Sequence, residues 1–179
     1  MKVVDPDPRG TAFHEAAHTV VGLVLGFELE YVTIEPDEDG STGVAMFLEV
    51  AFGDYETGLP VASVDVFERA IKRTLAGEIS QRRAGSEVMS VHGSRDRWHL
   101  ENFLLGLPGS IVDRAVGLEA LTAETEGLVA VCWPGIETLA ALLFERRRLS
   151  GAEVEEELAE FLRGMRTTIG TPPIEAQTP

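Results

Sequence analysis

The sequence predicts an α+β fold that is mainly helical, and three observations carry that expectation. Residues 8–25 are apolar almost all round, as a buried helix requires. Residues 28–50 hold two runs of apolar–polar alternation about a turn at 36–41, the pattern of a β-hairpin. Beyond Ser63 the apolar positions recur at helical spacing, interrupted at Gly85 and at Pro108-Gly109. The architecture expected is a long central helix packed with a small β-hairpin sheet and a C-terminal helical bundle. With 179 residues the chain is read as one domain over 1–166 and a Thr/Pro-rich tail over 167–179.

Composition narrows the function classes. Hydrophobic residues at 44% and charged ones at 25% describe a globular chain that buries a core. Fifteen basic against thirty acidic residues give a net charge of -15, which argues against nucleic acid and anionic membrane surfaces as partners. The lone Cys132 excludes an intramolecular disulfide, suits a reducing compartment and is read as a core residue. Residues 1–8 lack the apolar core of a signal peptide, and the longest apolar run, Val20 to Phe27, is too short to cross a bilayer. The expectation is a cytoplasmic protein with no membrane span. No phosphate-binding G-x-x-x-x-G-K-[ST] loop is present, so no ATPase activity of its own is expected.

Taken in order, Asp7-Pro8 reads as N-cap and first residue of a helix that runs to Leu25 and ends at Gly26. Glu28–Glu35 and Gly43–Val50 are the hairpin strands, and a free edge of that hairpin suits an extended peptide. Ala51–Val61 reads as a loop, and Ser63 caps a helix over Val64–Ala84 that Gly85 closes. Ser86–Arg95 is a polar loop, with Asp96 as N-cap of a third helix over Arg97–Leu105 in which Trp98 packs. Ser110 caps a helix through Ala120. A second pattern, Thr125–Arg148, is to be kinked or restarted by Pro134, with Arg146, Arg147 and Arg148 in its last turn. Ser150-Gly151-Ala152-Glu153 is a capping box opening a last helix to about Arg163.

The chemistry sits in the first helix, as His14-Glu15-Ala16-Ala17-His18. Positions i and i+4 share a helix face, so both imidazoles can point at one ion. Neutral imidazole is a common zinc ligand, and a carboxylate directly after the first His lands beside the water of such a site. This is the H-E-x-x-H pattern of zinc peptidases, with Glu15 as general base. Two histidines and a glutamate buried without partners are costly, and a metal that takes both imidazoles removes that cost. A metzincin continuation needs Gly at 21 and His at 24, where this chain has Val21 and Val24. A thermolysin-like site needs a helical Glu where this chain has the strand and turn around Glu35 and Glu38. Catalytic zinc takes a third protein ligand. Asp96, at the end of the polar loop, suits that role, with His99, Glu101, His92 and Glu78 as alternatives.

With Ala12-Phe13-His14-Glu15-Ala16-Ala17-His18-Thr19 and Val32-Thr33-Ile34-Glu35-Pro36 in view, the chain resembles the peptidase domain of the FtsH family (peptidase family M41). Leu75-Ala76-Gly77-Glu78-Ile79-Ser80 is similar to that family's small-residue helix. Trp133-Pro134-Gly135-Ile136-Glu137 and Leu149-Ser150-Gly151-Ala152-Glu153-Val154 look like its C-terminal helices. The resemblance spans about residues 8–163 and implies a zincin-like fold, a zinc ion held by His14, His18 and Asp96, and Glu15 as base. It departs from the family in Ala17, where Gly is usual, in a loop before Asp96 that is one residue shorter, and in the missing ATPase.

The function expected is a zinc-dependent metalloendopeptidase acting on peptides or unfolded proteins, alone or with a separate ATPase, as a monomer or a homo-oligomer. The alternatives are a degenerate peptidase kept as a peptide-binding module and a protein whose histidines are plain core residues. The intact Glu15 argues against the former.

Overall fold

The computed structural model describes residues 7–36, 42–48, 50–52, 62–86, 92–170 and 174. Helix α1 (Pro8–Val24) is the element the others cover, because nearly every side of it is apolar. Asp7 caps it by accepting from Gly10 N at 2.9 Å, and Gly26 ends it at φ 87°. Ala16, Ala17, Val20 and Val21 are sealed from solvent. Around α1 pack helix α2 (Val64–Arg83), capped by Ser63, and helix α4 (Ile111–Arg146). Burying a Val or Leu side chain is worth about 1.5–3 kcal/mol, so this three-helix contact dominates the core.

The hairpin forms as β1 (Leu29–Thr33) and β2 (Val44–Phe47), antiparallel, with Val32 opposite Ala45. A third strand, β3 (Arg148–Ser150), pairs antiparallel with the other edge of β1, giving the order β2-β1-β3. The sequence reading placed Arg146, Arg147 and Arg148 in one helical turn. Instead α4 stops at Arg146, and Arg147 reverses the chain at φ 66°. That left-handed conformation is unfavourable for a non-glycine residue, and hydrogen bonds hold it there. Its Nη2 donates to Ile34 O, while its own carbonyl accepts from Ile34 N and Thr33 Oγ1.

The fold is thus α+β and mainly helical, as expected, with several boundaries corrected. Helix α3 runs from His92 to Leu105, so Asp96 lies inside a helix and is not its N-cap. Trp98 is 61% exposed, edge-on to His99, rather than packed. No break separates Ala120 from Thr125. α4 is a single helix of 36 residues that passes through Pro134. A proline costs a helix interior about 3 kcal/mol. The stripe of Val129, Cys132, Ile136, Leu139 and Leu143, buried on both sides of Pro134, offsets that cost. α4 is also the described helix long and apolar enough to cross a membrane by length and composition, with 39% of its most apolar stretch buried. The sequence reading had found no such run. A core helix meets the same test, and the buried stripe of α4 packs on α1 and α2.

The last helix of the sequence reading is two: α5 (Gly151–Glu157), opened by the expected Ser150/Glu153 capping box, and α6 (Ala159–Ile169). α6 extends past Arg163 into the segment expected to be tail. α1 packs chiefly on α2 and α4 and also touches α6. Most of the 36–41 turn and of the 51–61 loop lies outside the described residues, as do residues 87–91.

Candidate metal centre

His14, Glu15 and His18 project from the second and third turns of α1, and α2 crosses directly over the two histidines. The crossing is close because α2 presents Gly77 there. A Cβ at that position would lie 2.5 Å from His18 Nε2 and 2.7 Å from His14 Nε2. α3 closes the third side and delivers Asp96, whose Oδ2 is 2.8 Å from His14 Nε2 and 3.2 Å from His18 Nε2. The two imidazoles stand at 82° with centroids 4.6 Å apart. Among the described residues these three offer one ligand atom each, all within 4.8 Å of one another.

The remaining ring nitrogens fix the tautomers. His18 Nδ1 donates to the Arg73 carbonyl at 2.8 Å, and His14 Nδ1 donates to Gln81 Oε1 at 3.1 Å. With the proton on Nδ1 of each ring, both Nε2 lone pairs face the Asp96 carboxylate. Three electron-rich atoms this close repel one another unless a cation, proton or metal, lies among them. The donor set of two imidazole nitrogens and one carboxylate is that of catalytic zinc sites. Ligands about 2.0–2.2 Å from a tetrahedral ion are about 3.3–3.6 Å from one another, and the carboxylate oxygen here lies 2.8 and 3.2 Å from the two imidazole nitrogens. The residues therefore fit such an ion. Of the groups that orient the rings, one is a side-chain amide and the other a backbone carbonyl. Gln81 was missed by sequence reasoning. Its only signal was a polar residue one turn beyond Gly77 on the same helix.

Glu15 is 5% exposed. Burial, with the Asp96 charge added, pushes its carboxyl up to about 7 against the opposing pull of His14, the Ala45 N–H and Arg95. Ala45 sits opposite Val32 on β2, and its N–H donates to the Glu15 carboxylate. The chain reaches Glu15 at glycine: a Cβ on Gly43 would lie 2.8 Å from Glu15 Cγ. For Asp96, burial would raise the carboxyl. The His18 charge and the hydrogen bonds of both histidines outweigh it and hold the group well below the usual carboxylate range.

Among the described residues, none of the alternative ligands joins the cluster. Glu78 pairs with Arg82, and Glu101 is exposed on α3. His99 stacks on Phe103 with centroids 5.9 Å apart, and the His92 side chain lies outside the described residues. Cys132 is buried and its thiol is pushed up to about 12, which suits a core residue and not a nucleophile. No protein-family model matches the chain, and no curated protein matches it either.

Proposed function

We propose that the protein is a zinc-dependent metalloendopeptidase with a zincin-like site, of the kind the resemblance to the FtsH-like peptidases implies. The observation that carries this reading is the convergence of His14 Nε2, His18 Nε2 and Asp96 Oδ2 beside a buried Glu15. His14, His18 and Asp96 would hold the ion. When bound, it would supply a Lewis acid that polarises a carbonyl and brings the pKa of water from 15.7 to about 7.

The chain's own residues do the rest. Glu15, with a carboxyl titrating near neutrality, takes the proton of the attacking water and returns it to the leaving amine. The Ala45 N–H holds that carboxylate in place. β2 is an edge strand of the sheet, so its outer side can pair with an extended substrate running past Glu15. Peptides and unfolded segments are the substrates such an edge accepts, with any ATPase supplied by another chain.

Glu15→Gln tests the reading directly. The variant is expected to retain about one zinc per chain by elemental analysis and to lose hydrolysis of an unfolded protein such as reduced casein. Proteolysis that survives the change would remove Glu15 from the mechanism. A wild-type protein that takes up no metal at neutral pH would end the metallopeptidase reading.

A further inference from the structure

Arg73 serves the site with its backbone, but its side chain has a second position to account for. The guanidinium lies in the angle between two rings, 4.3 Å from the centroid of Phe27 and 4.5 Å from that of Phe47. Burial pushes it down to about 10, with Asp96 pulling the other way, so it is charged at neutral pH. A guanidinium carries five N–H donors, and Arg73 is half-buried between these rings. Among the described residues no hydrogen bond or ion pair reaches these donors, although other arginines here have them. Asp96, the carboxylate that Arg73 senses, is taken up by the two histidines. Among the described residues, the buried polar atoms that lack a partner are Thr19 Oγ1 and Ser80 Oγ. The Arg73 nitrogens are not among them, so their N–H edge meets solvent.

The place of this cation matters. Phe47 ends β2, the strand that touches Glu15 through Ala45. Gly22 lies one turn beyond His18 on α1, and a Cβ there would be 3.1 Å from Arg73 Cδ. The Arg73 side chain therefore passes α1 about 6 Å along its axis from His18. An extended peptide advances about 3.3 Å per residue, so one or two residues cover that distance.

We propose that Arg73 is a carboxylate-binding residue of the substrate cleft, pairing with a peptide carboxylate one or two residues from the bond held at Glu15. The carboxylate comes from an Asp or Glu side chain or from the peptide's own C-terminus. A planar guanidinium edge matches either one in a two-point hydrogen bond, and the two rings hold the guanidinium in place. The cleavage part of this statement rests on the peptidase reading, whereas the binding part does not.

The test uses zinc-treated Glu15→Gln protein, which holds peptides without cleaving them. Four acetylated alanine hexapeptides serve as probes: one amidated, one with a free C-terminus, and two amidated with a central Glu or Gln. Affinity is measured by calorimetry, and the Arg73 Nε–Hε resonance is followed by NMR. The Glu peptide or the free-carboxylate peptide is expected to bind about tenfold more tightly than its neutral match and to shift that resonance. Arg73→Gln should abolish the preference. Whichever peptide gains identifies the source of the carboxylate. Equal affinities, a preference that survives Arg73→Gln, or an Arg73 resonance that none of the peptides moves would overturn the proposal. The resonance decides the matter even if Arg73→Gln does not fold. A carboxylate preference in a protein that cleaves nothing with Glu15 intact would keep the Arg73 site and overturn the peptidase reading.

Discussion

His14 Nδ1 donates to Gln81 Oε1 across 3.1 Å, with both side chains buried, so an amide on α2 sets the tautomer and ring plane of the first histidine of α1. Gln81 lies four residues beyond Gly77, one helical turn, so the residue that lets α2 approach and the residue that uses the approach share a face.

Gln81→Leu removes that acceptor while keeping similar bulk. Partners of this type are worth about 10–100-fold in metal affinity, and a loss of that size is expected in a zinc competition titration against a chelator. Gln81→Glu should retain most of the affinity, since its carboxylate still accepts from Nδ1. An unchanged affinity in Gln81→Leu would mean that packing alone orients the ring.

Gly77→Ala sets two effects against each other. An alanine in a helix interior is favoured over glycine by about 0.5–1 kcal/mol. Here the new Cβ would lie 2.5 Å from His18 Nε2, where the ligand atoms must be. The expected outcome is a folded protein whose zinc content falls well below one per chain. Gly117→Ala and Gly164→Ala, which meet nothing within 4 Å, should raise the melting temperature slightly and leave metal content alone.

Local chemistry explains what could be read from the sequence. Asp7, Ser63, Ser110 and Ser150 cap the helices they were expected to cap, because a cap is decided within four residues. H-E-x-x-H fixes its own geometry for the same reason. Asp96 was picked out as a residue but given the wrong setting. Its oxygens face His14 and His18, while the helix it belongs to begins earlier, at His92. β3 was invisible because three residues between two helices carry no periodicity; only their pairing with Tyr31–Thr33 makes them a strand. The continuity of α4 through Pro134, and the roles of Gln81 and Arg73, depend on what lies across the core. Such long-range packing leaves no local mark.

The sheet that carries β2 to Glu15 is anchored from its far side. Gly151 opens α5 against β1, where a Cβ would lie 2.0 Å from the Leu29 carbonyl oxygen. A backbone atom cannot swing aside, so Gly151→Ala must push α5 or β1 away. Overpacking of this kind costs about 1–3 kcal/mol. A loss in that range is expected in urea unfolding, and hydrolysis by the proposed peptidase site is expected to fall further than stability as β2 shifts with β1. Activity that follows the folded fraction alone would mean that β2 keeps its place independently of β3 and α5.

The pH dependence of the metal-free protein follows from the same cluster. Glu15 is raised from 4.5 to about 7, chiefly by burial. Its contribution to stability is therefore complete below its unfolded value and is lost as pH rises through the folded one. At 1.36 kcal/mol per unit that loss is on the order of 3 kcal/mol. His18 acts in the same direction. Burial lowers it, but the Asp96 charge and hydrogen bond and the Arg73 carbonyl outweigh burial and raise it above 6.5, so its contribution also fades with rising pH. Asp96, held low, contributes above 3.8 and is lost on acidification. Urea unfolding in the presence of a chelator should thus show greatest stability near about pH 5 and a decline toward pH 8. Glu15→Gln should flatten that decline, since an amide has no charge to desolvate. Saturating zinc should reverse its sign, because metal binding releases protons and strengthens with pH. A decline equally steep in Glu15→Gln would show that the Glu15 carboxyl is not the group responsible.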